Sequence, residues 1–477
     1  MTTRRAIPIG AASGYEGSGP IGLVALLRQG WHEFLAFPAV IVAAFVVLAA
    51  FTLWMDNTDA SWLKFGREQV IGRFVFVREE GTASVLGQLL GGLLTVISIT
   101  FSVLLLAVQQ TASSLSSEVY SQFLRRRVNQ LYFGFFTGLA VYDVIALAAA
   151  HPKFNPVYTA ATAVIMTTLG LCLLVVLIYS TVDQMRPSVI IESLRDHTLA
   201  ARERSLALLR RTRRTSQSPA PVQFTVFAQR DGFLQNLRLD RLAQALADLR
   251  DPAAEIEVLH PIGTFVAYDD QLAVIRGGDR ETASALAGRI QEALVLRSER
   301  DLQVDAAYGI VELQSIAWTT ASSAKSTPEP PRLVINALRD LLGRWIAGTP
   351  ERGEPATSEP VAVVYPDRLH RDVIDALVTT GIASNESLQH VVAISAFDAL
   401  RQLLPRARGE TREQVLDAIR TLLPALSDVL LTPRLEDALD ALRRALEEHG
   451  AREVAAETST ALSLKQKEKG RVRSAAS

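Results

Sequence analysis

Residues 83–108 read ASVLGQLLGGLLTVISITFSVLLLAV and contain no charged side chain. At about 1.5 Å of rise per residue, a helix of that length crosses the roughly 30 Å hydrocarbon core of a bilayer. Three similar runs flank it. Residues 34–54 (FLAFPAVIVAAFVVLAAFTLW) and 157–182 are uncharged, and 131–150 holds one acid, Asp143. Helices of soluble proteins keep a polar face, so four such runs in succession point to a multi-pass membrane protein. The first run is too long for a signal-peptide core. Bulky Phe51, Leu53 and Trp54 also stand where a cleavage site needs small residues. It reads as a retained helix, with residues 18–33 as an interfacial lead-in that places Trp31 at headgroup depth.

Outside these runs the composition changes: from Arg186 onward charged residues recur every few positions. The 477 residues carry 49 Lys and Arg against 50 Asp and Glu, a net charge of -1. Bulk charge therefore points away from a nucleic-acid partner. The one cysteine, Cys172, lies within the fourth run, which leaves no disulfide framework or thiolate metal site. Arg4, Arg5 and Arg28 precede the first run, Arg125, Arg126 and Arg127 separate the second from the third, and arginines from Arg186 to Arg214 follow the fourth. The other two loops are poorer in unbalanced basic residues. That bias predicts both termini in the cytoplasm.

Within the second run, Ser84, Gln88, Gly91, Thr95, Ser98, Ser102, Gln109 and Ser113 fall in one arc at 100° per residue, broken by Leu105 and Leu106. Polar groups that face lipid lack partners, so the arc should face another helix or water. Helix packing is one reading, since Gly87 and Gly91 are spaced as a small-xxx-small pair. A pore or cavity lining is the other, with Gln88, Thr95, Ser98, Ser102 and Gln109 on the wall and Leu105 and Leu106 as a constriction. Asp143 is an intramembrane acid, read either as functional or as an acid near the interface paired with a hydroxyl. Gly134 and Gly138 give the third run a close-approach face of its own.

The remainder reads as α+β and then helical. Residues 183–214 are expected to continue the fourth helix out of the membrane. SQSPAP (216–221) is a linker, followed by strands at VQFTVFAQ and FLQNLRL around a turn at Arg230, Asp231 and Gly232, and by an amphipathic helix at LDRLAQALADLR. Short strands follow at IEVLH and TFVAYDDQLAVIR, and helices are expected near 280–297, 305–322 and 331–347. A second linker (ERGEPATSEP) leads to amphipathic helices over 366–450 and a polar, disordered tail from Glu457. No P-loop, dinucleotide fingerprint, nucleophile elbow or zincin motif occurs, and the seven histidines show no ligand spacing. The expectation is no enzyme, no catalytic, cofactor-binding or metal site, and no cofactor.

Four passages carry a family resemblance: SITFSVLLLAVQQTASS (98–114), FLRRRVNQLYFGFFTGLAVY (123–142), GFLQNLRLDRL (232–242) with GTFVAYDDQLAVI (263–275), and AYGIVELQSIA (307–317). Over roughly residues 30–450 the chain resembles the bacterial predicted-membrane-protein family called domain of unknown function 2254. The resemblance implies a four-helix membrane region and a cytoplasmic C-terminal region, and no established activity. Two stretches depart from the family pattern. A serine-proline and Asn-Asp-Pro motif gives way to SSAKSTPEPPR (322–332), and a Pro-Arg pair is replaced near Ser117 and Glu118. The 263–275 hairpin is similar to one from a biotinyl or lipoyl-type barrel, but its Tyr268-Asp269-Asp270 turn lacks the lysine of a swinging-arm carrier.

The fold expected is therefore an α-helical membrane protein with about four transmembrane helices. To these it adds an α+β cytoplasmic region with a small β subdomain and a C-terminal helical region. The expected division is 1–33 cytoplasmic and interfacial, 34–185 transmembrane, 186–221 charged helix and linker, 222–350 α+β, 351–456 helical and 457–477 tail. The function expected is an oligomeric channel or transporter with a cytoplasmic gating or sensing domain, in a bacterial inner membrane. The alternative is a membrane-anchored scaffold or signalling protein. The partners expected are the lipid bilayer and further copies of the chain, with no nucleic acid and an unidentified small ligand or ion.

Overall fold

The computed structural model describes residues 35–58, 79–114, 126–151, 154–323, 327–348, 361–426 and 431–476. Four helices long and apolar enough to cross a membrane come first: α1 (Ala36–Asn57), α2 (Glu79–Ser114), α3 (Arg127–Ala149) and α4 (Val157–Gln184). The 36 residues of α2 extend about 54 Å, well beyond the hydrocarbon thickness. The lead-in at 18–33, the Ser117–Glu118 departure, most of the Arg125 loop and the 351–360 linker lie outside the described residues.

The core of this first unit is built by α1, α3 and α4. A Cβ on Gly134 would come within 2.7 Å of Ile41 Cδ1, and one on Gly138 within 2.5 Å of Phe45 Cδ2. The two glycines thus let α1 lie directly on α3, as their spacing predicts. Because Ile41 meets Gly134, Phe45 meets Gly138 and Thr52 meets Tyr142, chain numbers rise together and α1 runs parallel to α3. That is what alternating crossings require of the first and third spans. The second span joins this core through Phe101, whose ring sits 4.6 Å from Phe133 and 6.4 Å from Phe136, and through Thr82 Oγ1, which donates to Asn155 Oδ1 at 2.8 Å.

The second unit holds Met185–Ser477. The fourth span does not run on unbroken to 214: the helix stops at Gln184 and resumes as α5 (Pro187–Arg211), with proline in its first turn. Proline lacks the N–H that a continuous helix needs and its ring clashes with the preceding turn, so the helix must restart there.

A four-stranded sheet in the order β1-β5-β3-β7 and a three-stranded sheet in the order β4-β2-β6 follow. The strands are β1 (Val222–Phe227), β2 (Gly232–Leu237), β3 (Glu255–Val258), β4 (Phe265–Val266), β5 (Gln271–Arg276), β6 (Leu294–Arg297) and β7 (Val363–Val364). Two helices, α6 (Leu239–Asp248) and α7 (Arg280–Ala293), share one apolar core with both sheets.

Three expectations are corrected here. The helix near 280–297 ends at Ala293, and Leu294–Arg297 pairs antiparallel with β2, because buried Leu294 and Leu296 alternate with outward Val295 and Arg297. The 263–275 segment is no hairpin, since β4 pairs with β2 and β5 pairs with β1 and β3 in the other sheet. The tail is helical where it is described: α14 (Arg452–Ala476) continues through it, with Thr458 and Leu462 buried about one turn apart.

The remaining helices are α8 (Ala306–Ala321), α9 (Glu329–Gly348), α10 (Leu369–Glu386), α11 (His390–Leu403), α12 (Gly409–Leu422) and α13 (Pro433–Glu448). Of these, α8 packs on α5, α9 and α10.

Candidate functional site

The polar arc of the second span lies on the outer side of the first unit. Ser84, Gln88, Gly91, Thr95, Ser98, Ser102 and Gln109 are all exposed, as are Leu105 and Leu106, while Leu86, Leu93, Leu104 and Val108 are buried on the other side. A Cβ added to Gly87 or Gly91 meets nothing within 4 Å, so among the described residues this glycine pair forms no seam. Some of the polarity is satisfied by the helix itself. Thr95 Oγ1 donates to Gly91 O and Ser102 Oγ to Ser98 O, each at 2.8 Å, and Gln88 Nε2 donates to Ser84 Oγ at 3.4 Å. The side chains of Ser98 and Gln109 have no partner among the described residues. The side chain of Ser113 lies outside the described ones.

Asp143 is not brought to this face. It is fully buried on α3, and neither carboxylate oxygen has a hydrogen-bond partner, hydroxyl or other, among the described residues. Its neighbour in sequence is fully engaged: Tyr142 Oη bonds with Thr52 Oγ1 and donates to Thr159 O, both at 3.0 Å. A second acid of the membrane unit has a defined task. Asp56, at the end of α1, accepts from Tyr158 N at 2.8 Å, Thr159 N at 2.9 Å and Thr159 Oγ1 at 2.8 Å. The two amides are orphan donors in the first turn of α4, and a carboxylate there also complements the helix dipole.

In the second unit, a polar junction fixes α5. The Arg202 guanidinium grips Asp367 with two parallel bonds, Nη1 to Oδ1 at 3.0 Å and Nη2 to Oδ2 at 2.7 Å. It also lies 5.6 Å above the Trp345 ring, which stacks on His370 with centroids 6.4 Å apart. Burial pushes Asp367 up, but the hydrogen bond and charge of Arg202 win and hold it below the ordinary carboxylate value. Burial pushes His370 down to about 4, and its Nδ1 meets Thr411 Oγ1 at 3.1 Å. Burial, then the Asp375 charge, pushes Asp372 up to about 6. Such a bidentate buried pair holds one geometry, and removing one partner would strand the other at a cost of about 3–5 kcal/mol. Nothing in the sequence links Arg202 to Asp367, because they are 165 positions apart.

The family model described as "Predicted membrane protein (DUF2254)" matches residues 31–402. The chain belongs to this family. The DUF2254 match takes in all four spans, both sheets and the Arg202–Asp367 junction, and ends within α11, short of the residue 450 that the resemblance suggested. No curated protein and no solved structure matches the chain.

Proposed function

We propose that this DUF2254 protein is a homo-oligomeric channel or transporter, in which the open face of the second span lines the conducting path and the second unit gates or senses from the cytoplasm. The observation that carries this reading is the exposure of Gln88, Thr95, Ser98, Ser102 and Gln109 on the protomer's outer side. Left against lipid, the unpartnered groups would each cost several kcal/mol, and a neighbouring copy or water would satisfy them. Leu105 and Leu106 sit on the same open side, where a ring of leucines would make a dewetting constriction. The basic-residue asymmetry supports cytoplasmic termini in a bacterial inner membrane.

With Cys172 replaced by serine, single cysteines at Ser98, Ser102 and Val175 are exposed in native membranes to a small water-soluble thiol reagent. The expected result is labelling at Ser98 and Ser102 and none at Val175, an exposed residue of the apolar fourth span. A reporter fused after residue 215 checks the orientation by staying cytoplasmic. If neither serine labels, the face is a packing seam, and the protein is a membrane-anchored scaffold or signalling component that moves nothing.

A further inference from the structure

An open cleft of about 650 Å³ in the second unit is lined by Arg230, Arg238, Arg241 and Arg297, against two acids, Asp231 and Glu292. The chain path brings these residues together. Arg230 and Arg238 flank β2, and Arg297 closes β6, which pairs with it, Phe233 opposite Arg297 and Leu237 opposite Leu294. Gly232 makes the close approach, with φ at +148° and room for no side chain, since a Cβ would lie 2.8 Å from the Arg297 carbonyl oxygen. A larger residue there would lift the Arg230 turn away from Arg297. Arg238 is also the residue that precedes α6, and it caps no N–H with its side chain. The first-turn amides of that helix therefore add partial positive charge beside the guanidinium groups.

The four arginines are unequally engaged. Arg241 pairs with Glu292 at 3.1 Å, and Arg230 Nη2 donates to Leu296 O at 3.2 Å. The guanidinium groups of Arg238 and Arg297 have no hydrogen-bond or ion-pair partner among the described residues. Like charges gathered in one concavity repel one another unless an anion sits between them. Arginine forks match the geometry of phosphate oxygens in particular. The cleft is the size of small-molecule sites, and Val295 and Leu296 give it an apolar wall.

We infer that this cleft binds a phosphate-bearing anion, held by Arg238 and Arg297 and steered by Arg230 and Arg241. This site stands independently of the conducting path proposed for the spans. Its ligand's phosphate could belong to a soluble molecule or to a lipid headgroup, and both present the same oxygens.

The test uses the full chain in phosphatidylcholine nanodiscs, titrated with inorganic pyrophosphate by calorimetry. Saturable binding is expected, at least tenfold weaker in R238Q/R297Q, weakened by added salt, and unchanged in R434Q, which removes an exposed arginine elsewhere. The arginines are exposed, so the unliganded thermal midpoint of the double variant should match that of the parent. Should it fall, R297Q alone and the charge-retaining R297K take its place, and only R297Q should lose affinity. Repeating the titration in nanodiscs with phosphatidylglycerol identifies the source: competition assigns the site to a headgroup, and unchanged affinity assigns it to a soluble phosphate. Absence of saturable pyrophosphate binding, or equal binding by the parent and R238Q/R297Q, overturns the inference.

Discussion

The second and third spans both carry glycines at four-residue spacing, and the fold uses them in opposite ways. On α3, Gly134 and Gly138 are pressed against Ile41 and Phe45, and 44% of the span's most apolar stretch is buried. On α2, Gly87 and Gly91 face open space, and only 11% of the equivalent stretch is buried. The same small-residue spacing is a filled seam in one helix and a vacant face in the other. Glycine spacing reports that something can come close, and it does not report what does. The neighbours decide: α3 offers apolar Phe133, Phe135 and Phe136 beside its glycines, while α2 surrounds its own with serine, threonine and glutamine.

The comparison breaks most readily at Gly138. Leucine there must displace Phe45 from its place on α3, and overpacking of this kind costs about 3 kcal/mol. The thermal midpoint of purified G138L in detergent should therefore drop well below that of G91L, whose new side chain enters open space. Equal midpoints would mean that the α1–α3 seam is not the core of the membrane unit.

A smaller effect tests whether the second unit's junction is as closed as the α1–α3 seam. His370 has a folded-state value of about 4 against an ordinary value near 6.5, so the fold favours its neutral form. Its contribution is full above pH 6.5 and is lost as the pH falls toward 4. Asp372 runs the other way. Raised to about 6, it contributes fully below its ordinary value and loses that contribution as the pH rises through 6. Asp367, Arg202 and Arg214 are the charged groups that act on the same ring, and Arg202 holds Asp367 below the ordinary carboxylate value. Subtracting H370Q from the parent isolates the histidine. Their stability difference should shrink by about 3 kcal/mol between pH 7 and pH 4. A difference that does not change with pH would place His370 in solvent.

The smallest effect sharpens the open face. Alanine at Gly91 has room and should change the unfolding free energy of the single chain by less than about 0.5 kcal/mol. In the oligomer that we propose, the same methyl group would meet the neighbouring copy. If G91A shifts the protomer–oligomer balance on size-exclusion chromatography while protomer stability holds, a second copy is what lies there. A change in protomer stability alone would place the glycine in an intramolecular contact.

The four spans, the polar arc of the second and the glycine pair of the third were legible in the sequence, as were most strands and helices of the second unit. All of these are local periodicities, set by the rise and turn of a helix or the alternation of a strand, so composition within one segment reveals them. Where sequence reading failed, a neighbour distant along the chain had decided the outcome. Leu294–Arg297 became a strand because β2 lay open beside it, the tail stayed helical where a linear count of polar residues suggested none, and the 263–275 segment was shared between two sheets. Only the tertiary structure settled that the polar arc faces outward, that Asp143 is buried without a partner among the described residues, and that Arg202 meets Asp367. The same holds for Arg230, Arg238 and Arg297 around one cleft. A sequence shows which face of an element is polar; whether that face meets solvent, a second helix or a countercharge depends on how the chain returns upon itself, and no local spacing encodes that.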